Sequence, residues 1–236
     1  MRDTYKWRRA LLGVGSLVCL AAVACAVDLG TTTRTPGFLE VEWDGETTDT
    51  IDALIDGVVI AQVRDLDGRP MSSRFIRFTA LPLGDDNRPG VFLAPLGLTP
   101  TQPTAQVAAN TAGIAIAAVR LGTVPGRAGI WVTVFELEDS DTVFVEVLPG
   151  SAHQIQLAPR DTTIEVGSSF QMRYALGDFY ANPVEGEVTL TVSGAISLAD
   201  ETVTGATVGT GLVFGVSGEV TDSVAVQVTA PSGGGS

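Results

Sequence analysis

The chain has 236 residues, 45% of them hydrophobic, with 27 Gly, 12 Pro and a net charge of −13. That apolar content is too high for a disordered chain, and the length suits one large or two ordinary domains. The acidity repels phosphate backbones and anionic headgroups, which argues against nucleic acid as a partner and against an electrostatic membrane patch.

The first segment is basic and then apolar. Arg2, Lys6, Arg8 and Arg9 against Asp3 give residues 1–24 three net positive charges, so the remainder carries −16 and contains no lysine. Residues 10–24 are apolar or small, and "AVAC" (22–25) places small residues before a cysteine, the layout of a secretory signal. This stretch resembles the lipobox of bacterial lipoproteins, with Ala22 where Leu is commonest. The resemblance implies a signal peptide over 1–24 and lipid modification of Cys25, anchoring the chain to a membrane. Two alternatives stand beside it. An uncleaved anchor over residues 10–27 would be at the short edge of a bilayer span and is interrupted by Gly13, Gly15 and Ser16. Ordinary cleavage after Ala24 or Ala26 would release the chain; after Ala24 it would leave Cys25 without a disulfide partner, because Cys19, the only other cysteine, goes with the signal. Ala26 after the cysteine resembles the pattern sorted to the outer membrane in a Gram-negative host. The expected location is therefore exported, in the cell envelope, at the outer membrane or cell surface.

Residues 25–37, "CAVDLGTTTRTPG", read as the attachment cysteine and a flexible tether. From there the signal is strands. "TTDTIDALIDG" (47–57) is a modest helix candidate or a strand approach. "GVVIAQVRD" (57–65), "SRFIRFTAL" (73–81), "GIAIAAVRL" (113–121), "GIWVTVFEL" (129–137) and "TVFVEVLPG" (142–150) are short, mostly alternating runs bounded by Gly, Pro or Asp. The five prolines in 82–106 predict an irregular excursion, and such a loop is either a recognition surface or mere decoration. Beyond residue 150 the strand texture returns in "HQIQLAP" (153–159), "TTIEVGS" (162–168), "SFQMRYAL" (169–176), "GEVTLTVS" (186–193), "GLVFGVSG" (211–218) and "DSVAVQVTA" (222–230). Many short strands at this spacing predict antiparallel sandwiches.

An internal repeat organises them. "DLDGRPM" (65–71) and "DFYANPV" (178–184) place Asp65 and Asp178, and Pro70 and Pro183, at a common offset. The Asp side chain can accept turn amides, and the Pro fixes φ where the next strand begins. Each copy is a strand–turn–strand corner, with Gly68 in the first replaced by Ala181 in the second, and with Asn182 before the second proline. These corners resemble the D-x-x-G-N-P-V signature of bacterial immunoglobulin-like domains, the modules of invasin- and intimin-type adhesins. "NTAGIAIAAVRLGTVPGRAGIWVTVFE" (110–136) is similar to the strand, glycine and closing strand that end such a domain. The resemblance implies an all-β chain of two tandem immunoglobulin-like β-sandwiches, over residues 38–149 and 150–230. It supplies no catalytic residues. The Gly/Ser-rich residues 231–236 read as a disordered tail.

Chemistry is sparsely supplied. His153 is the single histidine and has no nucleophile motif near it, so an enzyme is not expected. One histidine and one thiol after residue 24 cannot build a tetrahedral metal shell. "GATVGTG" (205–211) lacks the Lys of a phosphate loop and reads as a Gly-rich hairpin. Asp65 and Asp67, Asp85 and Asp86, and "ELEDSD" (136–141) could offer oxygen to calcium, but none forms a defined ligand loop, and solvated turns are the better reading. No cofactor is expected. Trp131, on a strand with one face expected to be buried, reads as core, whereas Trp43, in the acidic "VEWDGE", reads as an exposed platform. Possible binding residues are thus Trp43, Asp85 and Asp86. The function that follows is a non-enzymatic adhesion or structural lipoprotein of the envelope, with an unknown envelope protein or glycan as partner. The alternative is a carbohydrate-binding accessory protein of the cell surface.

Overall fold

The computed structural model describes residues 35–135 and 137–232. The signal segment, Cys25 and most of the tether lie outside them, as do residues 233–236. All the elements in this range are strands. The first group is β1 (Pro36–Gly45), β2 (Thr48–Thr50), β3 (Leu54–Asp65), β4 (Phe75–Ala80), β5 (Pro82–Leu83), β6 (Arg88–Pro89), β7 (Val91–Pro95), β8 (Thr104–Ala108), β9 (Ile114–Leu121), β10 (Gly126–Val134) and β11 (Ser140–Leu148). The second is β12 (Gln154–Ala158), β13 (Thr162–Glu165), β14 (Ser169–Gln171), β15 (Arg173–Gly177), β16 (Pro183–Val184), β17 (Thr189–Gly194), β18 (Ile196–Ala199), β19 (Thr202–Gly205), β20 (Gly209–Ser217) and β21 (Val220–Thr229).

Alternation builds the first core. On β3 Val59, Ala61 and Val63 are buried, on β4 Ile76 and Phe78, on β9 Ala115, Ala117 and Val119, and on β10 Ala128, Ile130 and Val132. Successive side chains point to opposite faces of a strand, so each strand gives one row to the interior. The rows belong to two sheets, ordered β1-β3-β9-β7 and β2-β11-β10-β4-β8. Lettered along the chain, these are A-B-E-D facing A′-G-F-C with β8 added at the edge, the immunoglobulin-like arrangement. β2 runs parallel to β11, whereas the other pairings in this sandwich are antiparallel.

The second group repeats the plan. β13-β21-β20-β17 forms one sheet, again with its first strand parallel to its last. Opposite it lie β12-β15-β16 and β14-β19-β18. β14 and β15 are two halves of one strand interrupted at Met172, whose side chain is 0% exposed and whose amide donates to the Glu201 carbonyl at 2.8 Å. Rejoined, they restore the A-B-E-D order. Ile155, Leu157, Val203, Val213, Val224, Val226 and Val228 fill this core, which shares no residue with the first.

The structure decides the open choice at 47–57 for the strand approach and revises two other sequence expectations. Residues 47–57 hold β2, a turn and the start of β3, with no helix. Residues 82–106 are not an excursion but the β5–β6 hairpin and strands β7 and most of β8, with Val91, Leu93 and Ala105 in the core. Their prolines fall where the ladder tolerates them: Pro82 begins β5, Pro89 ends β6 and Pro95 ends β7, an edge strand of its sheet. "GATVGTG" is no hairpin either, since it carries the chain from β19 in one sheet to β20 in the other.

Candidate functional site

The two corners are built alike. In the first, the Asp65 Oδ1 accepts the amides of Asp67 at 3.0 Å and Arg69 at 2.8 Å. In the second, the Asp178 Oδ1 accepts those of Tyr180 and Asn182, both at 2.9 Å. Gly68 donates its amide to the Asp65 carbonyl and Ala181 its amide to that of Asp178. Both turn residues are left-handed, Gly68 at φ 79° and Ala181 at φ 64°. That conformation costs an L-residue about 1–2 kcal/mol, against roughly 0.5–1 kcal/mol for the extra chain entropy of glycine. Ala181→Gly is therefore expected to raise stability by up to about 1 kcal/mol, and a lower urea midpoint for the variant would contradict it.

The repeat also extends back beyond the corner. Pro36-Gly37 and Pro149-Gly150 keep the same offset, and each glycine runs against its corner. A Cβ on Gly37 would come 2.7 Å from the Leu66 nitrogen, and one on Gly150 would come 3.4 Å from the Asp178 Cβ. The Gly150 amide donates to Asp178 Oδ2 at 3.1 Å.

The second corner forms a joint with the first sandwich. The Asn182 Nδ2 donates to Asp178 Oδ2 at 2.8 Å and to the Thr123 carbonyl at 2.9 Å. The Tyr180 hydroxyl donates to Asp52 Oδ2 at 3.3 Å, and Asp52 is held in turn by Arg120 at 2.5 Å. Burial, the Asp52 carboxylate and this hydrogen bond raise the Tyr180 phenol above its usual pKa. Asp178 is 1% exposed. Burial pushes its carboxyl up, but the hydrogen bonds from Asn182, Gly150 and Tyr180 together hold it below the ordinary aspartate value. His153 is at the same joint, its ring packed edge-on against Phe179 with centroids 5.2 Å apart.

The tryptophan assignments are reversed. Trp43 is half-buried against the first core and its indole donates to the Glu46 carbonyl at 3.0 Å. Its ring covers Gly57, where a Cβ would come 2.6 Å from Trp43 Cζ2. Trp131 is 42% exposed, on the outer face of the five-stranded sheet. It faces Thr79 on β4 and Thr142 on β11, with Thr133, Arg77 and Gln106 in the next row. Phe75 and Phe135 are exposed beside it, and with Trp131, Thr133, Arg77 and Gln106 they line a groove of about 780 Å³. A volume in that range accommodates a small ligand.

The carboxylates weighed for calcium and read as solvated turns lie in turns or at strand ends, most of them held by local partners. Asp65 caps its turn, and Asp67 pairs with Arg69 at 3.1 Å. Asp85 and Asp86 are exposed in the turn between β5 and β6, with Asp86 3.8 Å from Arg88. Asp139 and Asp141 accept the amides of Ser140 and Thr142. Among the described residues, no three His, Cys, Asp or Glu side chains gather as a metal site would require.

By strand order, then, the chain is a tandem immunoglobulin-like β-sandwich protein. Neither protein-family models nor curated proteins match it. Among solved structures it is similar to the S-layer protein rSbsC(31-844), with 18% identity over 83% of this chain and 28% of that one at a TM-score of 0.37. It is also similar to invasin, a bacterial integrin-binding protein, with 19% identity over 82% of this chain and 40% of that one at a TM-score of 0.39. A third likeness is to FdeC, an Escherichia coli adhesin, with 15% identity over 81% of this chain and 64% of that one at a TM-score of 0.43. This chain thus spans well under half the length of the first two. At these scores the likenesses carry no weight of their own, and the fold assignment rests on sheet order and core.

Proposed function

We propose that this chain is a non-enzymatic adhesion or structural module of the cell envelope, of the bacterial immunoglobulin-like kind found in invasin- and intimin-type proteins. Cys25 carries the lipid, residues 26–37 form the tether, and the sandwiches over 38–149 and 150–230 extend from it toward an envelope protein or glycan. The observation that carries this reading is the joint. Asn182 and Tyr180 bond backbone and side chain of the preceding sandwich, so the second module is fixed to the first and not free on a linker. A coupled pair of sandwiches holds a surface at a set distance from its anchor, which suits presentation or scaffolding. The exposed Trp131 face supports a second reading, carbohydrate binding at the cell surface.

Anchoring is tested by labelling cells that express the full chain with radioactive palmitate. Label is expected on the wild type. Cys25→Ser should take none and remain in the inner membrane as a larger precursor. If Cys25→Ser is processed to wild-type size and released in soluble form, ordinary secretion replaces lipidation.

A further inference from the structure

The outer face of the five-stranded sheet combines three features. First, Trp131 lines the groove with an exposed side chain, and its indole N–H makes no hydrogen bond among the described residues. An exposed indole whose direct cross-strand partners are the threonines Thr79 and Thr142, with Phe75 and Phe135 lining the same groove, leaves an apolar platform beside hydroxyls. Second, Arg77 and Gln106, paired across β4 and β8, line the same groove, and neither side chain makes a hydrogen bond or ion pair among the described residues. Third, Arg77 puts a guanidinium in the groove of a chain that is strongly acidic as a whole, while Arg127, on the same sheet, lies 4.0 Å over the Phe144 ring and cross-strand from Glu146. Glu138 and Asp139 close the end beyond Phe135, and the Asp139 carboxylate already accepts the Ser140 amide.

A flat ring, an amide and a planar guanidinium together match a sugar that carries a carboxylate. The ring face takes the C–H side of a pyranose, and the amide takes hydroxyls. The guanidinium takes a carboxylate through two parallel N–H···O bonds, a pairing that lysine cannot reproduce. A neutral sugar would leave Arg77 without its match. A purely acidic peptide would leave the indole without one. We infer that this face binds an acidic oligosaccharide, with a uronic or sialic residue stacked on Trp131 and its carboxylate on Arg77. This deepens the envelope-module reading by naming the ligand class. Because it is measured on purified chain, it stands or falls independently of lipidation.

The test is calorimetric titration of the purified full chain with trigalacturonate, with a mannuronate trimer and with sialyllactose, alongside maltotriose and hexaglutamate. At least one acidic sugar should bind at least tenfold more tightly than both controls. Trp131→Ala should abolish that binding. Arg77→Gln should weaken the acidic sugar about tenfold and leave maltotriose unchanged, so the preference for acid disappears. Both side chains are exposed, and thermal unfolding of each variant should match the wild type, which separates loss of binding from loss of fold. The inference is overturned if none of the three acidic sugars binds, if hexaglutamate binds as well as they do, or if Trp131→Ala leaves the affinity intact.

Discussion

Phe78→Ala should cost the first sandwich about 3–5 kcal/mol, the usual loss when a buried Phe is truncated in a close-packed core. Phe78 is 0% exposed on β4, paired on one side with Val132 on β10 and on the other with Ala105 on β8. Its ring projects into the opposite sheet, and neither flanking strand can close the space without losing its ladder. The measurement is urea unfolding followed by tryptophan fluorescence, since Trp43 and Trp131 both report on this sandwich. Phe78→Leu, which keeps most of the volume, should cost much less, about 1.5 kcal/mol or under. A loss below about 1 kcal/mol for Phe78→Ala would mean that the sheets do not pack on one another at that position.

Asp178→Ala should be the most damaging change outside the cores. It removes one carboxylate that serves the amides of Tyr180, Asn182 and Gly150 and the side chain of Asn182. Hydrogen bonds to a charged group contribute about 1.5–3 kcal/mol each, and several would be lost together. A destabilisation of about 2–4 kcal/mol is expected for the second sandwich, because water reaches part of the vacated turn. The effect depends on pH in a definite direction. The fold holds this carboxyl below its ordinary pKa, so folding favours the charged form. The contribution is complete above the unfolded value and fades as pH falls through the folded one. The gap between wild type and Asp178→Ala should therefore be constant from neutral pH to about pH 5 and narrow below about pH 4. A gap that widened on acidification would show that the carboxyl is stabilised as the neutral acid.

The corners were legible because their chemistry is local. An Asp, two turn amides and a Pro lie within six residues, so the repeat of Asp65 and Pro70 in Asp178 and Pro183 predicts the same turn twice. Strand type was legible for a similar reason, since β-branched alternation belongs to one segment at a time. Which face is covered belongs to the whole sheet. In "GIWVTV" both rows contain apolar residues, and only packing shows that Ile130 and Val132 face inward while Trp131 faces out. Trp43 had a usable signal, because it shares parity with Leu39 and Val41, whose row packs on the core. The prolines of 82–106 misled because proline forbids a central strand but permits the ends of strands, and position within a sheet is not written in any short window. The joint was out of reach, since Thr123 and Asp52 meet Asn182 and Tyr180 from 59 and 128 residues away.

The parallel pairing of β2 with β11 and of β13 with β21 has a mechanical consequence. In each sandwich a strand near the entry of the chain lies lengthwise beside the strand at its exit, running the same way. Tension applied between the two ends of the molecule pulls these partners past each other along their length. Every rung of the pairing then resists at once, whereas a hairpin pulled at its open end parts one rung at a time. In both sandwiches, then, the ladder lies across the path of a pull applied at the two ends.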